Sequence, residues 1–200
     1  MTDQSYLVLF DADRIKEFVF ATGRLKEIRG GSQIVRDATD AAEIGKALGL
    51  APDQIVFAEG GSGLLLAADA NSARDLGRRL ALRYKGLTHG ATLTAVAEPL
   101  GDDFGETIGR AARRLRLAKD DVRQRRQPAQ SPFTQPCTSC GTQPAASTYR
   151  RGAGATERLC DACRAKRDAA DALWDKAREG DEILLGRTTW GAGFLDSLPE

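Results

Sequence analysis

The sequence predicts an α+β protein of the ferredoxin-like type, with an antiparallel sheet, followed by a four-cysteine module and a C-terminal helix. Strand-like and helix-like stretches alternate over the first half of the chain in the order β-α-β-β-α-β, which is the pattern of that fold. All four cysteines of the 200 residues come later, as two C-x-x-C pairs. We therefore expect a ferredoxin-like domain over residues 1–128, a metal-binding module over 129–165, and a helix with a linker over 166–200.

A strand and two helices are predicted at the start of the chain. "SYLVLFDAD" is rich in apolar and aromatic residues and predicts a strand that ends at Asp11 and Asp13. A helix is expected from about Asp13, with Gly23 interrupting it. A second helix is expected over "GGSQIVRDATDAAEIGKALG", with Ser32 as its N-cap and Gly49 as its C-terminal stop.

A hairpin, a helix and a last strand complete the predicted sheet. "QIVFAEGGSGLLLAAD" reads as two short strands around Gly60, Gly61 and Ser62, since glycines are typical of tight hairpin turns. "NSARDLGRRLALRYKG" is a helix with Asn71 or Ser72 as its cap. "GATLTAVAEPL" is a strand that Pro99 ends, so the sheet is expected to carry its helices on one face.

A strongly basic helix is predicted over "FGETIGRAARRLRLAKDDVRQRRQ". The net charge of the chain is only +1, so its overall charge does not call for nucleic acid. Two interpretations stay open: a solvated helix face, or a surface that binds RNA phosphates or an acidic partner. The basic residues are Arg110, Arg113, Arg114, Arg116, Lys119, Arg123, Arg125 and Arg126.

The cysteines predict a structural zinc site. Two C-x-x-C knuckles can complete a tetrahedron around one ion, and four thiolates leave no open position for water. The alternatives are two adjacent disulfides, which a reducing cytosol disfavours, and unpaired thiols. The four ligands are Cys137, Cys140, Cys160 and Cys163.

The acids after the first strand have two interpretations. Asp11 and Asp13 form a D-x-D pattern, and side chains two residues apart at a strand end can point the same way and hold one divalent cation. The alternative is helix capping, in which one of them accepts from the first backbone N–H groups of the next helix. Spacing by itself favours capping, and the neighbouring hairpin can shift that balance.

The chain is expected to be cytoplasmic and to have no membrane partner. It contains no run of about 18 apolar residues that could span a bilayer. Its first residues, "MTDQSYLVLF", lack the basic flank and cleavage site of a signal peptide.

Taken together, these motifs resemble a known family. "LFDADRIKEFVFATGRLKEIRGGSQIV" and "AEGGSGLLLAAD" resemble the first palm domain of the large polymerase-like subunit of type III CRISPR effector complexes. The paired C-x-x-C after a basic helix resembles the zinc module between that family's two palms, and "SLPE" resembles the linker to the second palm. More distantly, the chain is similar to GGDEF-type nucleotide cyclases.

The resemblance implies a role in antiviral defence. Such subunits convert ATP to cyclic oligoadenylate when target RNA binds, and their two palms face each other. The active palm carries a Gly-Gly-Asp-Asp hairpin, whereas the first palm is degenerate and helps to bind nucleotide. Here the hairpin reads Gly60-Gly61-Ser62-Gly63, so the chain is not expected to be active by itself. Its one histidine, His89, cannot supply the histidine–aspartate pair of the family's nuclease domain, so we expect no nuclease activity.

The resulting hypothesis is half of a composite ATP site that is completed by a second palm, on this gene product, on another chain or in a homodimer. Mg²⁺ or Mn²⁺ would enter with ATP, and RNA and other effector subunits are further expected partners. Two alternatives are a zinc-stabilised scaffold that docks RNA or proteins through the basic helix, and an active cyclase that uses Asp11 and Asp13, with Glu59 as a further candidate metal ligand. The candidate nucleotide-binding residues are Gly60, Gly61, Ser62, Gly63, Gly30, Gly31 and Ser32.

The glycines at 30 and 31 have their own pair of interpretations. If they open a helix, its free N–H groups suit a phosphate, and the cations of Arg24, Lys26 and Arg29 stand just upstream. The alternative is a plain turn followed by an N-cap at Ser32.

Overall fold

The computed structural model describes residues 4–124, 134–151, 155–178, 183–185 and 188–190. These residues divide into two units, one drawn from residues 1–21 and 34–134 and the other from residues 22–33 and 135–200. The three-segment boundaries predicted from the sequence stay a prediction. Each unit is described by itself below.

The first unit contains a four-stranded sheet in the order β2-β3-β1-β4, with every neighbouring pair antiparallel. This order is that of a ferredoxin-like sheet, so the predicted α+β fold class is confirmed. Its strands are β1 (Tyr6–Ala12), β2 (Ile55–Glu59), β3 (Ser62–Ala67) and β4 (Leu93–Pro99). Its helices are α1 (Ile15–Val19), the end of α2 (Leu25–Thr39), α3 (Ala41–Leu48), α4 (Ala70–Thr88) and α5 (Phe104–Gln124).

Both faces of this sheet are covered, because adjacent residues of β1 are both buried. Val8 joins the core that α4 contributes to with Leu76, Leu80 and Tyr84. Leu7 points to the other face and is also fully buried. Helix α5 contacts β1 and β4 on that second face, so the expectation of helices on one face alone is wrong.

Two predicted helix starts are also wrong. Helix α2 begins at Leu25 rather than at Gly30 and Gly31. The predicted single helix is interrupted at Asp40, whose carboxylate caps α3 by accepting from Ala42 N and Glu43 N. Helix α4 is capped by Asp69, not by Asn71 or Ser72, whose N–H groups donate to it. In both cases an aspartate lies just before the helix and competes well as a cap. The interruption expected at Gly23 is confirmed, since it lies between α1 and α2.

The second unit contains the start of α2, two short hairpins and the helix α6 (Asp161–Arg178). Its hairpins are β5 (Ser147–Arg151) with β6 (Ala155–Leu159), and β7 (Ile183–Leu185) with β8 (Thr188–Trp190). Gly30 of α2 lies against the backbone of α6, where an added Cβ would overlap the carbonyl of Lys166. Among the described residues, every helix is too short or too polar to cross a membrane.

Candidate functional site

The acids after β1 lie at the end of the sheet, beside the start of β4. Asp13 is buried, and both of its carboxylate oxygens accept hydrogen bonds of 2.9 Å, from the hydroxyls of Thr92 and Thr94. Its backbone N–H donates to the carbonyl of Thr92. Asp13 is therefore fixed in place by β4, whereas the side chain of Asp11 is 41% exposed.

A lysine of α5 lies between the two acids. The Lys119 ammonium donates to Asp11 Oδ2 at 2.6 Å and to the Ala12 carbonyl at 2.9 Å, and it lies 3.4 Å from Asp13 Oδ1. No backbone N–H of α1 donates to either carboxylate among the described residues, and Arg14 at its N-terminus has no side-chain cap. The structure thus brings Asp11 and Asp13 together around a cation, and neither of them caps α1.

Sequence reasoning missed this role of Lys119 and placed it on a basic surface. The pair spans 108 residues, so no local pattern links them. One signal was available: Lys119 follows buried Ala111 and Leu115 at intervals of four, which puts it on the sheet-facing stripe of α5. A lysine on a buried stripe needs an acidic partner.

Tyr84 of α4 belongs to the core of the first unit, and the charges of the acidic pair act on it. Its ring is fully buried, and its hydroxyl has no hydrogen-bond partner among the described residues. Burial, with the negative charges of Asp13 and Asp11, raises the pKa of Tyr84 to about 12.

The glycine hairpin puts Ser62 beside Asp11. Residues 59, 62 and 11 are paired in register across β2, β3 and β1, so their side chains lie on one face. Adjacent strands are about 4.8 Å apart, so the Glu59 and Asp11 backbones are about 10 Å apart. The position next to Asp11, where an active hairpin would need an acid, thus holds the hydroxyl of Ser62.

The hairpin glycines are explained mostly by packing inside the protein. A Cβ at Gly61 would overlap Ile15, and one at Gly63 would overlap the ring of Phe10. Gly60 and Gly61 have φ of 63° and 101°, which favour glycine in a two-residue turn. Only at Gly60 does an added Cβ meet open space, so packing inside the protein accounts for Gly61 and Gly63, and nucleotide binding at these glycines stays a prediction.

The other candidate glycines do not open a helix. Gly30, Gly31 and Ser32 lie inside α2, so their N–H groups lie past its first turn. Ser32 donates to the carbonyl of Ile28 instead of capping. The predicted phosphate site at a helix N-terminus is therefore wrong, because the helix starts one and a half turns earlier, at Leu25.

The four cysteines converge in the second unit. Their sulfur atoms all lie within 4.8 Å of one another, and Cys140 Sγ and Cys160 Sγ are 3.9 Å apart. A tetrahedron with zinc–sulfur bonds of about 2.3 Å has edges of about 3.8 Å, so the arrangement fits such an ion. None of the four is in a disulfide, which excludes that alternative. The residues that can hold the metal are Cys137, Cys140, Cys160 and Cys163.

Hydrogen bonds favour thiolate character in this cluster. The Cys163 thiol donates to Cys160 and, against the effect of burial, lowers the pKa of Cys160 to about 5. The same hydrogen bond and burial raise the pKa of Cys163. Backbone N–H groups also point at sulfur, from Ser139 to Cys137 at 3.4 Å and from Cys163 to Cys160 at 3.5 Å. Such donors are what a metal-bound thiolate needs.

A buried ion-pair network supports the first knuckle. Ser139, between the two cysteines of that knuckle, donates to Glu27, which is fully buried on α2. Arg167 of α6 donates to Glu27 at 2.6 Å and also to Glu157, and its guanidinium stacks 4.8 Å from the Tyr149 ring. Sequence reasoning missed this network, because glutamates and arginines at such distant positions give no local signal.

The basic helix is partly used inside the first unit. Arg110 and Arg114 both bond Glu98, a buried residue of β4, at 2.8 Å. Burial raises the pKa of Glu98, but hydrogen bonds from these two arginines more than offset it and lower the pKa. Arg113 and Arg116 stay exposed, with no ion pair among the described residues. The predicted Arg125 and Arg126 lie outside the described residues.

No protein-family profile matches the chain, and no curated protein is similar to it in sequence. Solved structures of Csm1 are similar to it. A Csm1–Csm4 cassette in complex with one ATP is 22% identical, with a TM-score of 0.47, over 60% of this chain and 19% of that chain. The apo cassette is 21% identical, with a TM-score of 0.45 over 61% and 19%. Csm1 from T. onnurineus is 22% identical, with a TM-score of 0.46 over 64% and 20%. The chain spans about a fifth of these Csm1 chains.

Proposed function

We propose that this chain is a degenerate palm of a type III CRISPR effector, which binds ATP as one half of a composite site for cyclic oligonucleotide synthesis. The observation that carries the proposal is the hairpin tip beside β1, where Ser62 stands next to Asp11 and Lys119 neutralises part of the acidic pair. A palm built in this way keeps the shape of the site without the acids for metal-dependent transfer. The partner palm supplies those acids.

A cleft at the end of β1 offers room for part of a nucleotide. Its volume is about 490 Å³, within the usual range for small-molecule sites. Its residues are Asp11, Ala12, Arg14, Ile15, Lys16 and Glu17. The ammonium of Lys16 is exposed and forms no ion pair among the described residues, so it is the cation in this cleft best suited to a phosphate.

The four-cysteine module has a structural role in this proposal. Four thiolates close the coordination sphere of a zinc ion, so the metal stabilises the second unit and takes no part in phosphoryl chemistry. Mg²⁺ or Mn²⁺ enters with ATP and is held mainly by the partner palm. Other subunits of a CRISPR effector and target RNA are the further partners.

Calorimetric titration with ATP and Mg²⁺ tests the proposal, with the chain alone and mixed with a Gly-Gly-Asp-Asp palm. We expect binding that tightens with the second palm and weakens about tenfold in Lys16→Glu, because a phosphate contact is lost. Lys46→Glu is the matched control: the same charge change on an exposed helix position, near the end of β2 that lies away from the hairpin. Absence of heat at millimolar ATP with both palms present contradicts the proposal, and cyclic products from the chain alone would favour the active-cyclase alternative.

A scaffold role is the second candidate, and exposed Arg113 and Arg116 favour it. Because Arg114 is tied to Glu98, a double change of Arg113 and Arg116 to Glu tests this role more cleanly than one that includes Arg114. If α5 docks RNA, the double variant loses RNA binding, and the dependence of binding on salt becomes shallower, while ATP binding is unchanged. Unchanged RNA binding would exclude the helix as a docking surface.

A further inference from the structure

The environment of Lys119 resembles that of a bound metal ion. Its ammonium is surrounded by two carboxylate oxygens, from Asp11 and Asp13, and by the carbonyl oxygen of Ala12, at 2.6 to 3.4 Å. Two carboxylates and one carbonyl are hard oxygen donors, the kind that Mg²⁺ and Mn²⁺ prefer. The lysine side chain is 18% exposed, so it lies within the protein rather than in solvent.

Two of the three oxygens, those of Asp13 and Ala12, belong to residues that are held in place without the lysine. Asp13 accepts from the hydroxyls of Thr92 and Thr94, and the Ala12 N–H donates to the Gly61 carbonyl at 2.7 Å. Gly61 N–H in turn donates to the Thr39 hydroxyl at 2.9 Å. The hairpin tip and β4 therefore fix Ala12 and Asp13 from opposite sides. Loss of the lysine would therefore leave Ala12 and Asp13 where they are.

The charges also leave room for a stronger cation. Two carboxylates against one ammonium give a local charge of −1, and a divalent ion in place of the ammonium would bring the charge to zero. Mg²⁺ binds oxygen at about 2.0–2.1 Å and Mn²⁺ similarly, so neither can share these oxygens with an ammonium.

We propose that Lys119 is a built-in cation that blocks a divalent-metal site formed by Asp11, Asp13 and the Ala12 carbonyl. The native palm then carries no metal at its acidic pair, and exchange of one side chain opens the site. This inference deepens the proposed function, because it explains how a palm can seat a nucleotide and leave the metals to its partner. Metal binding at this site is measured in the absence of nucleotide.

The test is Mn²⁺ binding to zinc-loaded full chain, followed by the electron paramagnetic resonance signal of free Mn²⁺. Lys119→Met keeps the apolar stem and removes the charge. We expect it to gain one Mn²⁺ site with a dissociation constant on the order of 0.1–1 mM, typical of loosely built oxygen sites. Lys119→Arg retains a cation and is expected to stay silent, like the native chain. Adding Asp11→Asn to Lys119→Met is expected to abolish the gain.

Three outcomes overturn the proposal. One is a folded Lys119→Met chain, with native near-ultraviolet circular dichroism, that gains no Mn²⁺ site. Another is a gain that survives Asp11→Asn. The third needs no variant: Mn²⁺ titrated into the native chain must not broaden the amide resonances of Asp13 and Thr94, and saturable broadening below about 1 mM shows that the lysine does not block the site.

The two proposals fail separately. If the native chain binds no ATP but Lys119→Met gains Mn²⁺, the blocked site stands and the nucleotide role falls. If ATP binds to the native chain while Lys119→Met gains no metal, only the role of Lys119 falls.

Discussion

The two units of the molecule deal with concentrated negative charge in different ways. At the end of β1, the chain supplies its own cation, because Lys119 reaches both carboxylates. Around the four cysteines, the buried Lys166 offers one positive charge, while burial lowers its pKa. One lysine cannot balance four thiolates, so we propose that the second unit takes up an external cation, whereas the first unit carries its own. The difference shows that a cluster of acidic groups indicates a metal site only after the positive charges of nearby side chains have been counted.

The largest expected effect is loss of the metal from the second unit. Structural zinc contributes about 10 kcal/mol or more to folding of small modules, which lack a sufficient core. We expect chelation, or Cys163→Ser, to remove hydrogen-exchange protection from β5, β6 and α6, while β1 and β4 stay protected. Restoration on adding zinc to the chelated native chain is the control. Protection that persists in the metal-free second unit would break the comparison, because the thiols would then need no cation.

Whether a feature could be predicted from the sequence depends on how far apart in the sequence its residues lie. The cysteine knuckles and the Gly60–Gly61 turn are set by residues a few positions apart, so both were found. Two other features depend on how strands and helices that are distant in sequence pack, and neither leaves a local pattern. They are the ion pair of Lys119 with Asp11 and the packing of Gly63 against Phe10. The predicted helix starts were wrong for a different reason. Several residues that can cap a helix lie close together in the sequence, and their spacing does not tell whether Ser32 or Asp40 is the cap.

The second effect concerns the ion pairs that the second unit makes internally. Glu27→Gln leaves the buried Arg167 without one carboxylate, and one of the Arg167 nitrogens already lacks a partner among the described residues. We expect a loss of about 3 kcal/mol in the free energy of unfolding, measured by urea denaturation.

Asp171→Asn is the matched control, since it removes a half-exposed pair with Lys26 that is worth less than about 1 kcal/mol. Equal effects of the two changes would mean that burial of Glu27 does not strengthen its pairing.

The third effect tests whether packing explains the hairpin of the first unit. In Gly63→Ala, the added methyl meets the Phe10 ring and lies 2.8 Å from the Phe57 carbonyl. We expect a loss of about 1–3 kcal/mol from overpacking, read from thermal unfolding. Gly86→Ala is the control, because Gly86 lies in α4 with nothing nearby, and helix propensity predicts a gain of about 0.5–1 kcal/mol. If Gly63→Ala is neutral, room for a ligand again becomes the better explanation of that glycine.

The smallest effect concerns the charge that Lys119 leaves uncompensated. The Tyr84 pKa is raised by burial and by Asp13 and Asp11, from 10.0 to about 12. A raised folded-state pKa gives stability that is complete below pH 10 and is lost as the pH rises toward 12, because the unfolded chain loses the proton first. Tyr84→Phe is therefore expected to reduce the loss of the free energy of unfolding between pH 10 and pH 12.

At pH 7 the Tyr84→Phe variant should gain up to about 1 kcal/mol in the free energy of unfolding, since it removes a buried hydroxyl without a hydrogen-bond partner among the described residues. Tyr6→Phe, on the same sheet and half-exposed, is the control. An unchanged alkaline profile in Tyr84→Phe would mean that the tyrosine hydroxyl is solvated in the folded chain and that burial and the charges of Asp13 and Asp11 do not raise its pKa.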